Sequence, residues 1–210
     1  SLPVIATSLS CAFSSSVVRN LVVVGGTHGN EYTGVWCIKA LDKATNRLRE
    51  QYPSLDISTL LANPQAHFEN KRFVDHDLNR QFSHEALHGV KEEDGLPETV
   101  ESLRAQEINE ILGPKFAETH STDVVIDLHS TTSNMGLSVI IAEGDSLMAQ
   151  AAAYVIHKCG GEKKDVRALM HSHPSRESRP NLSSAGRTGS PIEVGPVPQG
   201  WTGLLSASDA

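Results

Sequence analysis

Long hydrophobic runs are missing from this 210-residue chain. No stretch approaches the roughly 20 apolar residues that span a bilayer, so no membrane-spanning helix and no membrane partner is expected. Positive charge is also scarce: 18 Lys and Arg against 25 Asp and Glu leave a formal net charge of −7. A nucleic-acid surface needs a basic excess, so no nucleic-acid partner is expected either. Any anion bound here must be met by a local group of arginines. The three cysteines, Cys11, Cys37 and Cys159, are odd in number and far apart. They offer neither a disulfide framework nor a CxxC zinc site, and a reducing, cytoplasmic setting is the simplest expectation. The phosphate-binding spacings GxGxxG and GxxxxGK are lacking, and Lys39 lies too far beyond GGTHGN to act as a phosphate lysine. Internal repeats and a second domain are not visible.

What is present is an ordinary globular composition, 39% hydrophobic and 20% charged, long enough for one domain with a sizeable core. Ten histidines are many for this length and justify a search for a metal site. Residues 1–18 are Ser-rich and lack acidic groups. They read as a poorly ordered extension, with a transit or signal remnant as the alternative. The chain begins with Ser, as a processed chain or a fragment would. Residues 201–210 read as a small polar tail.

Hydrophobic periodicity predicts strands at Val17–Val24, Asp56–Ala62, Thr122–Leu128, Leu137–Ala142, Asp165–Met170 and Pro191–Val194. Helices are expected over Glu31–Gln51, Glu98–Leu112 and Ser146–Cys159, the second with an apolar side of Thr99, Leu103, Ile108, Ile111 and Leu112. Residues 84–97 read as an exposed loop. Strands alternating with helices imply an α/β fold with a mixed, largely parallel central sheet flanked by helices. Ligands in such sheets gather at the carboxyl ends of strands.

The segment GGTHGNE, residues 25–31, follows the apolar run Leu21–Val24 and places His28 and Glu31 where a strand gives way to a helix. An imidazole and a carboxylate three residues apart also occur by chance. His129 adds weight, because it sits at the end of the other strongly apolar strand. Two histidines and one carboxylate leave a position open on zinc, the catalytic arrangement. Zinc lowers the pKa of the water it holds to about 7. Glu193, flanked by Ile192 and Val194, is a candidate base, or else a strand residue facing water. Asp127 either orients an imidazole or caps the following Ser/Thr-rich turn. In KRFVDHDLNR, Arg72 is a candidate oxyanion stabiliser, and Asn79 with Arg80 can meet a substrate carboxylate. The bland alternative is a solvated surface loop. Asp75 and His76 read as surface residues, and Asp77 as a brace for an arginine.

These segments together resemble the aspartoacylase family of the zinc-carboxypeptidase-like superfamily. The matching pieces are GGTHGNE, Asn63-Pro64, DLNRQF (77–82), LRAQEINEILGPK (103–115), DLHSTTSNMG (127–136) and IEVGPVPQG (192–200). The resemblance covers residues 19–200, which makes that stretch the expected zinc hydrolase catalytic domain. It implies one Zn2+ per chain on His28, Glu31 and His129. It implies Arg72 polarising the scissile carbonyl, Asn79 and Arg80 on the α-carboxylate, and Glu193 as general base. The implied reaction is hydrolysis of the amide of an N-acyl-L-amino acid, N-acetylaspartate or another N-acetyl amino acid. A succinylglutamate desuccinylase-type enzyme or an inactive, truncated zinc-binding relative are the alternatives, and homo-oligomer formation stays open.

Two departures from the family pattern stand out. Aspartoacylases carry an arginine before IEVGP that reads the distal carboxylate of N-acetylaspartate, and counting back puts Ser183 there, with Arg179 or Arg187 as candidate substitutes. Aminoacylase-3-like relatives lack that arginine. Full-length relatives also continue into a C-terminal β-rich domain that covers the site, whereas this sequence ends soon after PQG. Zinc binding is therefore expected to survive better than catalysis.

Overall fold

A computed structural model of the chain describes residues 17–88, 98–159, 166–172 and 175–200. Among these described residues six strands form one sheet: β1 (Asn20–Gly25), β2 (Asp56–Leu61), β3 (Val124–Ser130), β4 (Gly136–Ala142), β5 (Val166–His171) and β6 (Thr188–Gly195). Their order is β2-β1-β3-β6-β4-β5. Four strands run parallel, while β4 meets β6 antiparallel and pairs parallel with β5. The reversal follows from chain length. Only residues 131–135 join β3 to β4, too few for the crossover that a parallel neighbour needs. The expected mixed, largely parallel sheet is the one observed.

Strands β1 and β3 are apolar on both faces because both are covered. Val22, Val24 and Val125 pack with Ala105, Ile108 and Leu112 of helix α5 (Val100–Leu112), together with Leu78, Phe82 and Leu182. On the opposite face Val124, Leu21 and Ile126 pack with Met148 and Ala152 of α6 (Ser146–Cys159). Val18, from the segment read as an extension, joins this second cluster. Residues 1–16 and 201–210 lie outside the described residues.

Several elements differ from the sequence expectation. The helix expected over 31–51 is two, α1 (Tyr32–Lys43) and α2 (Thr45–Gln51), broken at Ala44. The Thr45 hydroxyl there donates to the Asp42 carbonyl at 2.8 Å, competing with the helical ladder. A short helix, α3 (Pro64–Phe68), follows β2; the Asn63 side chain accepts from Ala66 N–H at 3.2 Å, with Pro at the first turn. Of the loop expected over 84–97, His84–His88 is helix α4, anchored by buried Leu87, and 89–97 lie outside the described residues. The apolar side assigned to α5 is corrected: Leu103 and Ile111 are 41% and 51% exposed, whereas Glu101, Ala105 and Asn109 are buried. Strand β6 begins three residues earlier than expected. Thr188, Gly189 and Ser190 lack an apolar signature but pair with Val124, Val125 and Ile126.

Candidate metal centre

The carboxyl ends of β1, β3 and β6 lie side by side, and the candidate residues cluster there. Gly26, at φ 70°, turns the chain out of β1 in a conformation that costs glycine little. Helix α1 then crosses at backbone distance. A Cβ on Gly25 would lie 2.5 Å from the Gly34 carbonyl carbon, so larger side chains would push α1 away. This close approach fixes His28 and Glu31 over the sheet. Asp127 and His129 are two apart on β3 and project from one face. Glu193 is the direct register partner of His129 on β6.

His28, Glu31 and His129 are 4%, 2% and 3% exposed, and each places a ligand atom within 4.8 Å of the others. His28 Nδ1 lies 2.7 Å from Glu31 Oε1, and His129 Nδ1 lies 3.1 Å from Glu31 Oε2. The outer nitrogens each meet a carboxylate. His28 Nε2 is 3.0 Å from Asp77 Oδ1, and His129 Nε2 is 2.8 Å from Asp127 Oδ2. Thr27 Oγ1 donates to Asp127 Oδ1 at 2.7 Å, and the Ser130 N–H donates to Glu31 Oε2 at 2.8 Å. Carboxylates on the outer nitrogens set the tautomer that turns both Nδ1 lone pairs inward.

The donor set fits a divalent cation. His28 Nδ1 is buried and, despite its closeness to Glu31, makes no aligned hydrogen bond. Two imidazole nitrogens and one carboxylate match a catalytic zinc site with an open position. The charge balance agrees. Burial works against a charged His129 ring, but Asp127 and Glu31 outweigh it and hold its pKa well above the usual value. His28 is raised similarly, burial being overcome by Asp77 and Glu31. Burial likewise opposes ionised Asp77, yet its bond to His28 pulls its pKa down to about 2. The pocket therefore calls for positive charge at its centre.

The remaining candidates surround this cluster. Arg72 Nη1 donates to Glu31 Oε1 at 3.0 Å, and its carbonyl accepts from the Gly29 N–H at 3.0 Å. Glu193 Oε2 is buried without a hydrogen-bond partner, and burial raises its pKa. Asn79 and Arg80 lie in a 3-10 turn, Leu78–Arg80, capped by Asp77, whose Oδ1 accepts the Asn79 N–H at 2.9 Å. Asn79 Oδ1 accepts from the Leu182 N–H at 2.9 Å, and Arg80 is exposed. Asp77, expected to brace an arginine, mainly braces His28; its contact with Arg72 Nη2 is 3.9 Å.

Neither substitute for the distal-carboxylate arginine reaches this centre. Arg187 pairs with Asp123, just before β3 begins, and Arg179 lines a cleft beside Thr188, the first residue of β6. Both places are at the opposite end of the sheet. Ser183 is buried, with its Oγ accepting from Asn181 Nδ2 at 2.6 Å.

One residue that sequence reasoning missed holds the whole loop. Glu101 of α5 is fully buried and accepts from the N–H groups of Val74, Asp75 and His76 at 2.7, 2.9 and 3.0 Å. It also accepts from Asn63 Nδ2 at 2.9 Å. In sequence it is one acidic residue among several on a charged helix.

Comparison with known proteins agrees with the geometry. Residues 17–209 match the model of the succinylglutamate desuccinylase/aspartoacylase catalytic domain. The chain is 40% identical over 186 residues to the N-acyl-aromatic-L-amino acid amidohydrolase (carboxylate-forming) of Xenopus laevis, covering 89% of this chain and 58% of that one. A probable aspartoacylase of Nostoc sp. is 36% identical, over 87% of this chain and 57% of its own length. The crystal structure of murine aminoacylase 3 superposes with a TM-score of 0.77 at 31% identity, over 90% of this chain and 59% of that one. The chain thus spans less than three fifths of these relatives. With the matched domain covering nearly all of it, the chain belongs to the succinylglutamate desuccinylase/aspartoacylase family.

Proposed function

We propose that this chain is the catalytic part of a zinc-dependent amidohydrolase that cleaves N-acyl-L-amino acids. The observation that supports it most is the buried His28–Glu31–His129 cluster, with both outer imidazole nitrogens on carboxylates and the orphaned Glu193 carboxylate beside it. Zinc held there supplies a Lewis acid that makes water nucleophilic near neutral pH and polarises a carbonyl. Glu193 takes the water proton at its free Oε2 and passes it to the leaving amine; its burial-raised pKa suits a group that must both accept and release a proton. Arg72 is half-exposed beside Glu31 and stabilises negative charge on the carbonyl oxygen. Asn79 and Arg80 receive the α-carboxylate, with the Asn79 carbonyl already engaged and its NH2 group left to donate.

The removal of Arg179 and Arg187 to the other end of the sheet favours a substrate without a distal carboxylate. N-acetyl aromatic or aliphatic amino acids fit better than N-acetylaspartate or N-succinylglutamate. A panel of these substrates, with and without a chelator, tests this: chelator-sensitive turnover is expected, fastest on the uncharged side chains. Glu193→Gln is expected to keep the metal and lower kcat by about 10²–10⁴-fold. Metal retained with turnover unchanged would rule out Glu193 as the base.

A further inference from the structure

Far from the metal centre, an open cleft of about 420 Å3 lies between the start of α6 and the segment preceding β6. Three arginines line it, Arg176, Arg179 and Arg187, with the carboxylates Glu143 and Asp145. Most of these groups are committed. Arg176 donates to the carbonyls of Lys115, Ser184 and Gly186 at 2.6, 3.1 and 2.8 Å. Arg187 pairs with Asp123 at 3.0 Å. Asp145 accepts from the Met148 N–H at 3.0 Å and from the Thr188 hydroxyl. Glu143 accepts from the Ser172 hydroxyl.

Arg179 differs. It is only 4% exposed, yet its Nε is buried without a hydrogen-bond partner. Its backbone is pinned from both sides, with its carbonyl accepting from Lys115 Nζ and from Ser184 Oγ. A desolvated guanidinium with an unmet donor is costly, because the Nε–H has lost water without gaining an acceptor. Asp145 and Glu177 are the carboxylates that act on it; Asp145 is already occupied by the Met148 N–H and the Thr188 hydroxyl, and Glu177 pairs with Arg176 at 3.2 Å.

We propose that this cleft is a binding site for a small oxyanion, the carboxylate or phosphate group of a metabolite, held by Arg179 and separate from the metal centre. The Nε–H of that guanidinium is the unmet donor that such a group would accept from. Exposed Ser175 stands at the rim of the cleft, its Oγ accepting the Ser178 N–H at 3.3 Å.

Thermal unfolding of the chain with inorganic phosphate, acetate or chloride at matched ionic strength tests the site and separates the two oxyanions. At about ten times the dissociation constant, the effective oxyanion is expected to raise the midpoint by roughly 3–6 °C over chloride. Arg179→Gln is expected to lose that shift and Arg72→Gln, at the metal centre, to keep it. The reverse pattern places the anion at the metal centre and overturns the proposal, as does no shift in the wild-type chain. Ser175→Glu puts a negative charge at the rim without touching the core, and covers the case in which Arg179→Gln does not fold. Its shift is expected to vanish, and an unchanged shift overturns the proposal.

Discussion

Asp77 and Asp127 perform one task from distant parts of the chain. Each holds the outer nitrogen of a histidine whose inner nitrogen faces Glu31. Neither reaches the centre of the cluster, so replacing them is expected to weaken metal binding without abolishing it. Asp77→Asn and Asp127→Asn should each lower metal affinity by about 10–100-fold, read by competition with a chromogenic chelator, with little change in the far-ultraviolet circular dichroism. The larger loss is expected at Asp127, because it is fully buried and Thr27 orients it. Asp127 was legible as a candidate because it shares a strand with His129. Asp77 was not, since its contact with His28, 49 residues away, depends on the path of a loop that periodicity does not describe.

At the scale of elements, α5 is a clamp as well as a packing helix. Glu101, in its first turn, accepts three main-chain N–H groups from the loop that carries Arg72, Asp77, Asn79 and Arg80, and the side-chain amide of Asn63, the residue before α3. Burial opposes its ionisation, but these bonds prevail and lower its pKa below 4.5. A depressed carboxylate contributes stability that is complete above its unfolded pKa and lost as pH falls through the folded value. Acid below about pH 4.5 is therefore expected to loosen the loop. Glu101→Gln should cost roughly 2–4 kcal/mol in urea unfolding at pH 7 and flatten the acid limb of the stability profile. Strands β1 and β3 could be read from sequence because their valine runs fit a doubly covered strand. The start of β6 could not, because Gly189 packs where any Cβ would lie 2.3 Å from the Ser183 carbonyl, and small residues there look like a loop.

For the molecule as a whole, the three candidate ligands come from the turn after β1, the entry to α1, and β3, spanning residues 28–129 of one sheet edge. A metal there staples segments about a hundred residues apart and binds only the folded state. With free zinc at about a thousand times the dissociation constant, it should contribute about 4 kcal/mol, or roughly 8–16 °C in unfolding midpoint. Scanning calorimetry of metal-loaded and chelator-treated chain measures this; equal midpoints would show that the cluster is held by its own carboxylates alone. The same sheet separates two chemistries. Its carboxyl end carries the cluster near His129, and its other end carries the Arg179 cleft, with the length of β6 between them.

Glu101 grips its loop only through main-chain N–H groups, so the side chains at positions 74–76 play no part in that grip. Asp75 does hold α5 separately, its Oδ2 accepting the Val100 N–H at 2.8 Å, so substitution is expected to be tolerated at position 76, with a single chemical exception. His76→Ala is expected to leave stability and metal affinity within experimental error of the parent. His76→Pro removes one of the three donors and should weaken both. If proline proved as harmless as alanine, the loop would be held by something other than its backbone.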